Sequence, residues 1–336
     1  MRHMRRYLAG TVAIAFVAAG FVLMAASRGP SEDVEMVVPS GATFAAVSDT
    51  LTARGVVASI RLFRIYARLR GDDRNIKSGR YLIPAGSGWG TVLETITEGR
   101  VVTVPMTIPE GFWLVQMAPR IAEITGVGVE DVLLVLNAPD AETQFGVPGP
   151  GLEGYLFPDT YYFAQGVSPT TVVAAMVGRY QEAWTPERRA RLDSLELDER
   201  EIVTLASIIQ AEARIVDEMP TISSVYHNRI ERDWLLQADP TVLYALGGRR
   251  ERLLYAAIDS VADNPYNTYS QRGLPPGAIG APGEAALEAA LYPLETDFMY
   301  FVARPDGSHA FTRTLAEHNR EKEDSRRERD AARDGA

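Results

Sequence analysis

The sequence predicts an α+β protein held behind an N-terminal membrane anchor, and three observations predict it. Tyr7 to Ala26 is a run of twenty uncharged residues preceded by Arg2, Arg5 and Arg6; at 1.5 Å rise per residue such a run can cross a hydrocarbon core of about 30 Å. From Val37 to Gly99, short β-rich runs alternate with segments whose apolar residues recur at helical spacing. Beyond Val101 helical periodicity dominates and the strand-like runs are short and scattered, which is the pattern of a mixed α+β unit. The expected layout is an anchor in 1–27, a linker and small α+β module in 28–100, a larger α+β domain in 101–320 and a charged tail in 321–336.

Composition narrows the function classes. With 336 residues, 46% of them hydrophobic, the chain can bury a sizeable core in more than one domain. Lys and Arg number 34 against 44 Asp and Glu, a formal net charge of -10, which argues against wholesale binding of nucleic acid. The absence of cysteine excludes disulfides and thiolate chemistry. Four His without an HExxH-like pair argue against a zinc site.

In order along the chain, Ala25, Ala26 and Ser27 resemble a signal-cleavage site. The apolar run nevertheless exceeds the roughly 7–15 residues of a signal core, so an uncleaved anchor is expected. Its basic N-terminus should stay cytoplasmic, with residues from about Arg28 onward outside the membrane. After a Gly29-Pro30 linker, Met36–Val38 and Gly79–Pro84 read as strands, Phe44–Arg54, Ile60–Leu69 and Trp89–Thr97 as helices, the last closed by Gly99. Val101–Ile108 reads as a strand, and Leu114–Thr125 and Asp131–Asn137 as helices. In Gly151–Tyr161 aromatic side chains crowd beside Glu153 and Asp159. That suits either a wall on which a sugar ring stacks or an ordinary aromatic corner between domains.

Asp198, with Glu201 three residues on, reads as an N-cap and its capping-box partner. The helix it opens carries Ile202, Leu205, Ile208, Ile209 and Glu212 on one face at about 100° per residue. A carboxylate on an apolar face without a fixed cation has its pKa raised and suits proton donation, whereas a salt bridge to Arg214, Arg229 or another nearby Arg, or a place at the edge of the stripe with its head in water, would keep it ionised. Gln210 falls roughly 160° away around the same helix. Pro220 opens a helix carrying Ile222, Val225 and Arg229, and Asp239-Pro240 repeats the device, with Asp239 expected as the cap and Gly247-Gly248 as the stop. Asn264–Tyr269 and Gly273–Ile279 are turn-rich loops of the kind that hold binding groups. Met299–Ala303 and His309–Thr312 pair as strands across Asp306-Gly307, and Glu317–Ala336 reads as a solvated terminal helix.

Taken together, Gly151–Tyr161, Leu205–Ala213, Leu236–Val242, Tyr266–Tyr269, Gly273–Ile279 and His309–Phe311 resemble, in order and spacing, the signature series of the MltG (YceG-like) endolytic murein transglycosylases. The resemblance covers nearly the whole chain. It implies a LysM-like module behind the anchor and a YceG-like catalytic domain on the periplasmic side of the inner membrane. It further implies no cofactor, peptidoglycan glycan strands as substrate, cell-wall synthases as partners and a role in limiting strand length. In the family the helical motif commonly has an acid, one residue, then the catalytic acid, which falls on Glu212; the first acid falls on Gln210, a departure. A second departure is Thr312, where relatives often carry Asn. Substrate binding is expected at Gln237, Asp239, Tyr266, Asn267, Tyr269, Glu153, Tyr155 and His309. Two other functions compete: a non-catalytic peptidoglycan-binding scaffold, and a hydrolase pairing Glu212 with Glu153 or Asp239.

Overall fold

The computed structural model describes residues 29–334 except Ser40, Val101 and 249–252. The expected anchor, Tyr7 to Ala26, lies outside the described residues, among which no helix is long and apolar enough to cross a membrane. The chain is mixed α+β and divides into two compact units, one running to Pro105 with Tyr162–Gly166, the other holding Met106–Tyr161 and Val167 onward.

The first unit runs β1 (Val34–Val38), α1 (Phe44–Ala53), α2 (Ile60–Arg70), β2 (Gly79–Ile83) and α3 (Trp89–Glu98). β1 and β2 are antiparallel with Met36 opposite Tyr81. Strand alternation then puts Met36, Val38, Tyr81 and Ile83 on the face that meets Leu51, Phe63, Trp89 and Ile96. Thr43 accepts from the Ala46 amide at 3.3 Å to start α1. Gly71 and Gly99, at φ 76° and 77°, stop α2 and α3 in the left-handed conformation that a side chain would resist.

The second unit contains α4 (Leu114–Thr125), α5 (Val129–Leu136), α6 (Ala141–Phe145), α7 (Pro169–Ala183), α8 (Pro186–Leu192), α9 (Glu199–Glu212), α10 (Met219–Glu231), α11 (Asp239–Ala245), α12 (Tyr255–Asp259), α13 (Glu284–Leu291), β5 (Tyr300–Ala303), β6 (His309–Thr312) and α14 (Leu315–Asp334). The strands β3 (Thr103–Thr107) and β4 (Thr160–Ala164) pair and each crosses the boundary between units. α9 is the axis of this unit. Asp198 accepts from the Glu201 amide at 2.8 Å and Glu201 from the Asp198 amide at 2.9 Å, the expected capping box. Ile202 through Ile209 are all buried, Thr204 and Ser207 included, so this helix is enclosed on every side rather than along one stripe. α13 packs against it and buries Ala286, Leu287, Ala289, Ala290 and Leu291. Leu205→Ala here would open a cavity and cost about 2–5 kcal/mol.

The terminal helix departs from expectation. It starts at Leu315, not Glu317, and is docked rather than solvated throughout. Ser325 is 2% exposed and donates to the Ala303 carbonyl at 2.8 Å, while the His318 ring stacks on Tyr300 at 5.2 Å. The docking stripe is narrow, one residue per turn among charges, so no hydrophobic periodicity announces it.

Candidate active site

Glu212 is the last residue of α9 and its side chain lines a cavity of about 540 Å³ in the second unit. The Tyr226 hydroxyl, from the buried face of α10, donates to Glu212 Oε1 at 3.1 Å. No cation pairs with it among the described residues. Arg229, 7% exposed, spends its guanidinium on the carbonyls of Met299 (2.9 Å), Leu236 (2.6 Å) and Leu235 (3.4 Å). Burial first, and the charge of Asp239 second, push the Glu212 carboxyl up to about 7; the Tyr226 hydrogen bond and the more distant Arg229 charge pull the other way. The group is therefore about half protonated near pH 7.

A second wall is the loop Leu236–Asp239. Gln237 sits at φ 51°, a left-handed conformation costly outside glycine. It is held there from behind: Thr268 accepts from the Gln237 amide through its carbonyl at 3.1 Å and from the Ala238 amide through its hydroxyl at 3.0 Å. Asp239 is not the cap expected of it. The N-cap is Ala238, and Asp239 is the first helical residue, its Oδ1 accepting a short hydrogen bond from the Tyr269 hydroxyl. That bond, rather than the helix terminus, accounts for a carboxylate at this position.

The third wall is the β5–β6 hairpin, where His309 Nδ1 lies 2.7 Å from Glu218 Oε2 and the His309 amide donates to Glu218 Oε1 at 3.1 Å. Leu315, His318, Asn319 and Lys322 of α14 form the fourth, and Tyr255, 79% exposed, stands at the edge.

The structure thus brings Glu212, Gln237, Asp239, Tyr269 and His309 to one cavity and leaves Glu153, Tyr155, Tyr266 and Asn267 off its lining. Asn267 is fully buried. It donates to the carbonyls of Ile258 (2.9 Å) and Val261 (3.1 Å) and accepts from the Tyr269 amide at 3.0 Å, so it aims Tyr269 instead of touching a ligand. Tyr266 packs on Tyr244 with ring centroids 5.0 Å apart. Tyr155 is 2% exposed and donates to the Gly149 carbonyl at 2.9 Å; with Phe157 also buried, the aromatic run 151–161 is core, not a sugar platform. Gly154 shows why this run must be tight: a Cβ there would lie 2.4 Å from that of Ala278 and 3.1 Å from a Val203 methyl on the back of α9.

Glu153 carries out a local task. Both its oxygens accept from the Leu114 amide at 3.3 Å, at the start of α4, and Oε2 also accepts from Tyr244 at 3.3 Å. Burial raises its carboxyl to about 7. Gln210 points away from the cavity, as its periodicity requires, and accepts from the Gly283 amide at 2.9 Å. The hydroxyl of Thr312 is buried without a hydrogen-bond partner among the described residues.

Sequence reasoning missed Tyr226, Glu218, Tyr255 and the part that Leu315, His318, Asn319 and Lys322 of α14 take in the cavity. Tyr226 had a signal: it follows Ile222 by four residues on the apolar stripe of α10. Tyr255 and Lys322 had none. No group of His, Asp and Glu fit to hold a metal occurs among the described residues. Chemically, the cavity offers a proton donor poised near neutrality, a carboxylate fixed by a phenol, an amide on a strained backbone and an imidazole fixed by a carboxylate.

The YceG-like family profile matches residues 36–324. The chain is 32% identical over 326 residues to a protein of Bacillus subtilis (strain 168) named endolytic murein transglycosylase, covering 92% of this chain and 89% of that one. It is 27% identical over 313 residues to the protein of the same name from Streptococcus pneumoniae serotype 2, covering 84% of this chain but 56% of the longer relative. A yceG-like protein from Listeria monocytogenes, known from its crystal structure, superposes with a TM-score of 0.60 at 32% identity, covering 86% of this chain and 99% of that one.

Proposed function

This chain belongs to the YceG-like family, and from that premise we propose that it is an endolytic murein transglycosylase in which Glu212 is the single acid–base group. The observation that carries the assignment is the state of Glu212: half-buried at a cavity, unpaired with any cation among the described residues and raised to about 7. In the first half-reaction the Glu212 carboxylic acid donates its proton to the oxygen linking muramoyl C1 to the next glucosamine, and the C1–O bond breaks. In the second, the Glu212 carboxylate takes the proton of the muramoyl 6-hydroxyl as that oxygen bonds to C1, closing a 1,6-anhydro ring. No water is consumed and the acid is regenerated. Because the nucleophile is part of the substrate, proximity replaces activation of solvent.

The Tyr226 hydroxyl fixes the orientation of Glu212 and stabilises its carboxylate for the second step. Asp239, locked by Tyr269, faces the positive charge that develops at C1, and Gln237 and His309 supply hydrogen bonds to sugar hydroxyls. Tyr255 offers an exposed ring for a pyranose face. The strand–helix–helix–strand order of the first unit supports a LysM-like assignment, and the uncharged run Tyr7 to Ala26 supports a single-pass anchor with the catalytic domain extracytoplasmic, beside cell-wall synthases whose strands it would shorten. The test is a mass spectrum of glycan strands digested by the chain. Anhydro ends, one water lighter than reducing ends, are expected, and their absence, or reducing ends in their place, would refute the mechanism.

A further inference from the structure

Resting on that reading, we propose that the inner face of α14 is a carboxylate subsite in which Lys322, beside His318 and Asn319, receives the anionic side of the muramoyl residue. Leu315, His318, Asn319 and Lys322 are spaced to share one face of the helix, and all four line the cavity that holds Glu212. The backbone that carries the exposed Lys322 is fixed by its neighbours. Glu321 reaches Arg304 at 3.1 Å and Ser325 donates to the Ala303 carbonyl at 2.8 Å, so the turn carrying Lys322 is tied down on both sides.

The charges around the cavity point to its ligand. Arg229, the other cation on the lining, is consumed by three backbone carbonyls, and Glu321 is taken by Arg304. Lys322 has neither an ion-pair nor a hydrogen-bond partner among the described residues. The sugar backbone of the glycan is neutral, so an unpaired ammonium beside it has no charge partner there. The anions of this polymer branch from muramoyl O3: the lactyl carboxylate where the stem peptide is missing, the peptide carboxylates where it is present.

His318 shapes the wall beside Lys322. Its ring is held nearly parallel to Tyr300 at 26° and 5.2 Å, and its Nδ1 is enclosed with no hydrogen-bond partner among the described residues. Burial, with Lys322 and Arg229 nearby, lowers its pKa and so favours the neutral ring next to that ammonium.

The experiment uses the full-length chain and three fluorescent disaccharides: one with its stem peptide, one with every peptide carboxylate converted to an amide, and one without peptide and so with a free lactyl carboxylate. Binding is read by anisotropy at low salt, with cleavage of long strands assayed in parallel. Lys322→Met should weaken binding of a carboxylate form about tenfold and leave the amide form unchanged, while Lys322→Arg retains binding. Loss confined to the peptide-bearing ligand identifies stem carboxylates as the partner, and loss of the peptide-free ligand identifies the lactyl group. Equal binding of charged and amidated ligands by the wild-type chain, or equal loss of both on Lys322→Met, overturns the subsite. Strand cleavage without any charge preference sinks the subsite alone, whereas Lys322-dependent binding without cleavage sinks the catalytic reading alone.

Discussion

Tyr226→Phe should move the pH profile of cleavage upward. The hydroxyl donates to Glu212 at 3.1 Å from a buried ring, and it stabilises only the ionised form of that acid. A hydrogen bond to a charged group contributes about 1.5–3 kcal/mol, and one pKa unit corresponds to about 1.36 kcal/mol, so removal should raise the Glu212 pKa by about one to two units. The bond is longer than the roughly 2.7–2.8 Å optimum, which places the shift near one unit. Since the proton-donating form must be present at the start of the cycle, the alkaline limb of kcat/KM, expected near 7 in the wild type, should lie near pH 8 in the variant. Asp239→Asn removes the charge that disfavours ionisation of Glu212 and should move the same limb downward. The assay is release of anhydro ends from pH 5 to 9 with thermal melts alongside. A limb that stays in place in both variants, or moves the same way in both, would show that Glu212 is not the group being titrated.

Glu212→Gln should abolish anhydro products, a loss of at least roughly 10²–10⁴ in rate, while glycan binding persists; near wild-type turnover would end the assignment. The same substitution should stabilise the fold increasingly as pH rises. A folded pKa of about 7 lies above the ordinary carboxyl value of 4.5, so the wild-type fold is favoured by bound protons at low pH and loses that advantage as pH climbs from about 4.5 to 7; melts across that window check it. Gln210→Glu should alter activity less than tenfold because the carboxylate can still accept from Gly283 outside the cavity. It should lower stability slightly, as Glu110 also abuts Gly283, and denaturant midpoints will show whether it does. Thr312→Val replaces an unpartnered buried hydroxyl and should raise stability by about 1 kcal/mol, roughly 2–4 °C in Tm; a fall would reveal a partner for that hydroxyl.

The cavity-lining helix and its candidate acid were legible because their signals are local. The capping box at Asp198 and Glu201 and a 3.6-residue period place Glu212 without any tertiary knowledge. The β5–β6 pairing, His309 opposite Ala303, was legible for the same reason. What failed was the sorting of polar and aromatic motif residues into ligand-facing and supporting ones. Asn267, Tyr155 and Glu153 look like binding groups by type, but each is satisfied by backbone partners that only the fold brings near. Asp239 failed differently: Asp before Pro has a sufficient local explanation as a cap, and a tertiary contact with Tyr269, thirty residues away, displaced it. The docked face of α14 was invisible because it depends on Ser325 and on stacking by His318, neither of which registers as hydrophobic.

Two side chains of α9 answer backbone amides of loops that have no sheet or helix to bond to: Ser207 accepts from Ile279 at 3.0 Å and Gln210 from Gly283 at 2.9 Å. Hydrogen exchange at those amides is therefore tied to opening of the helix itself, and they should exchange with its slow cooperative unit instead of with ordinary loops.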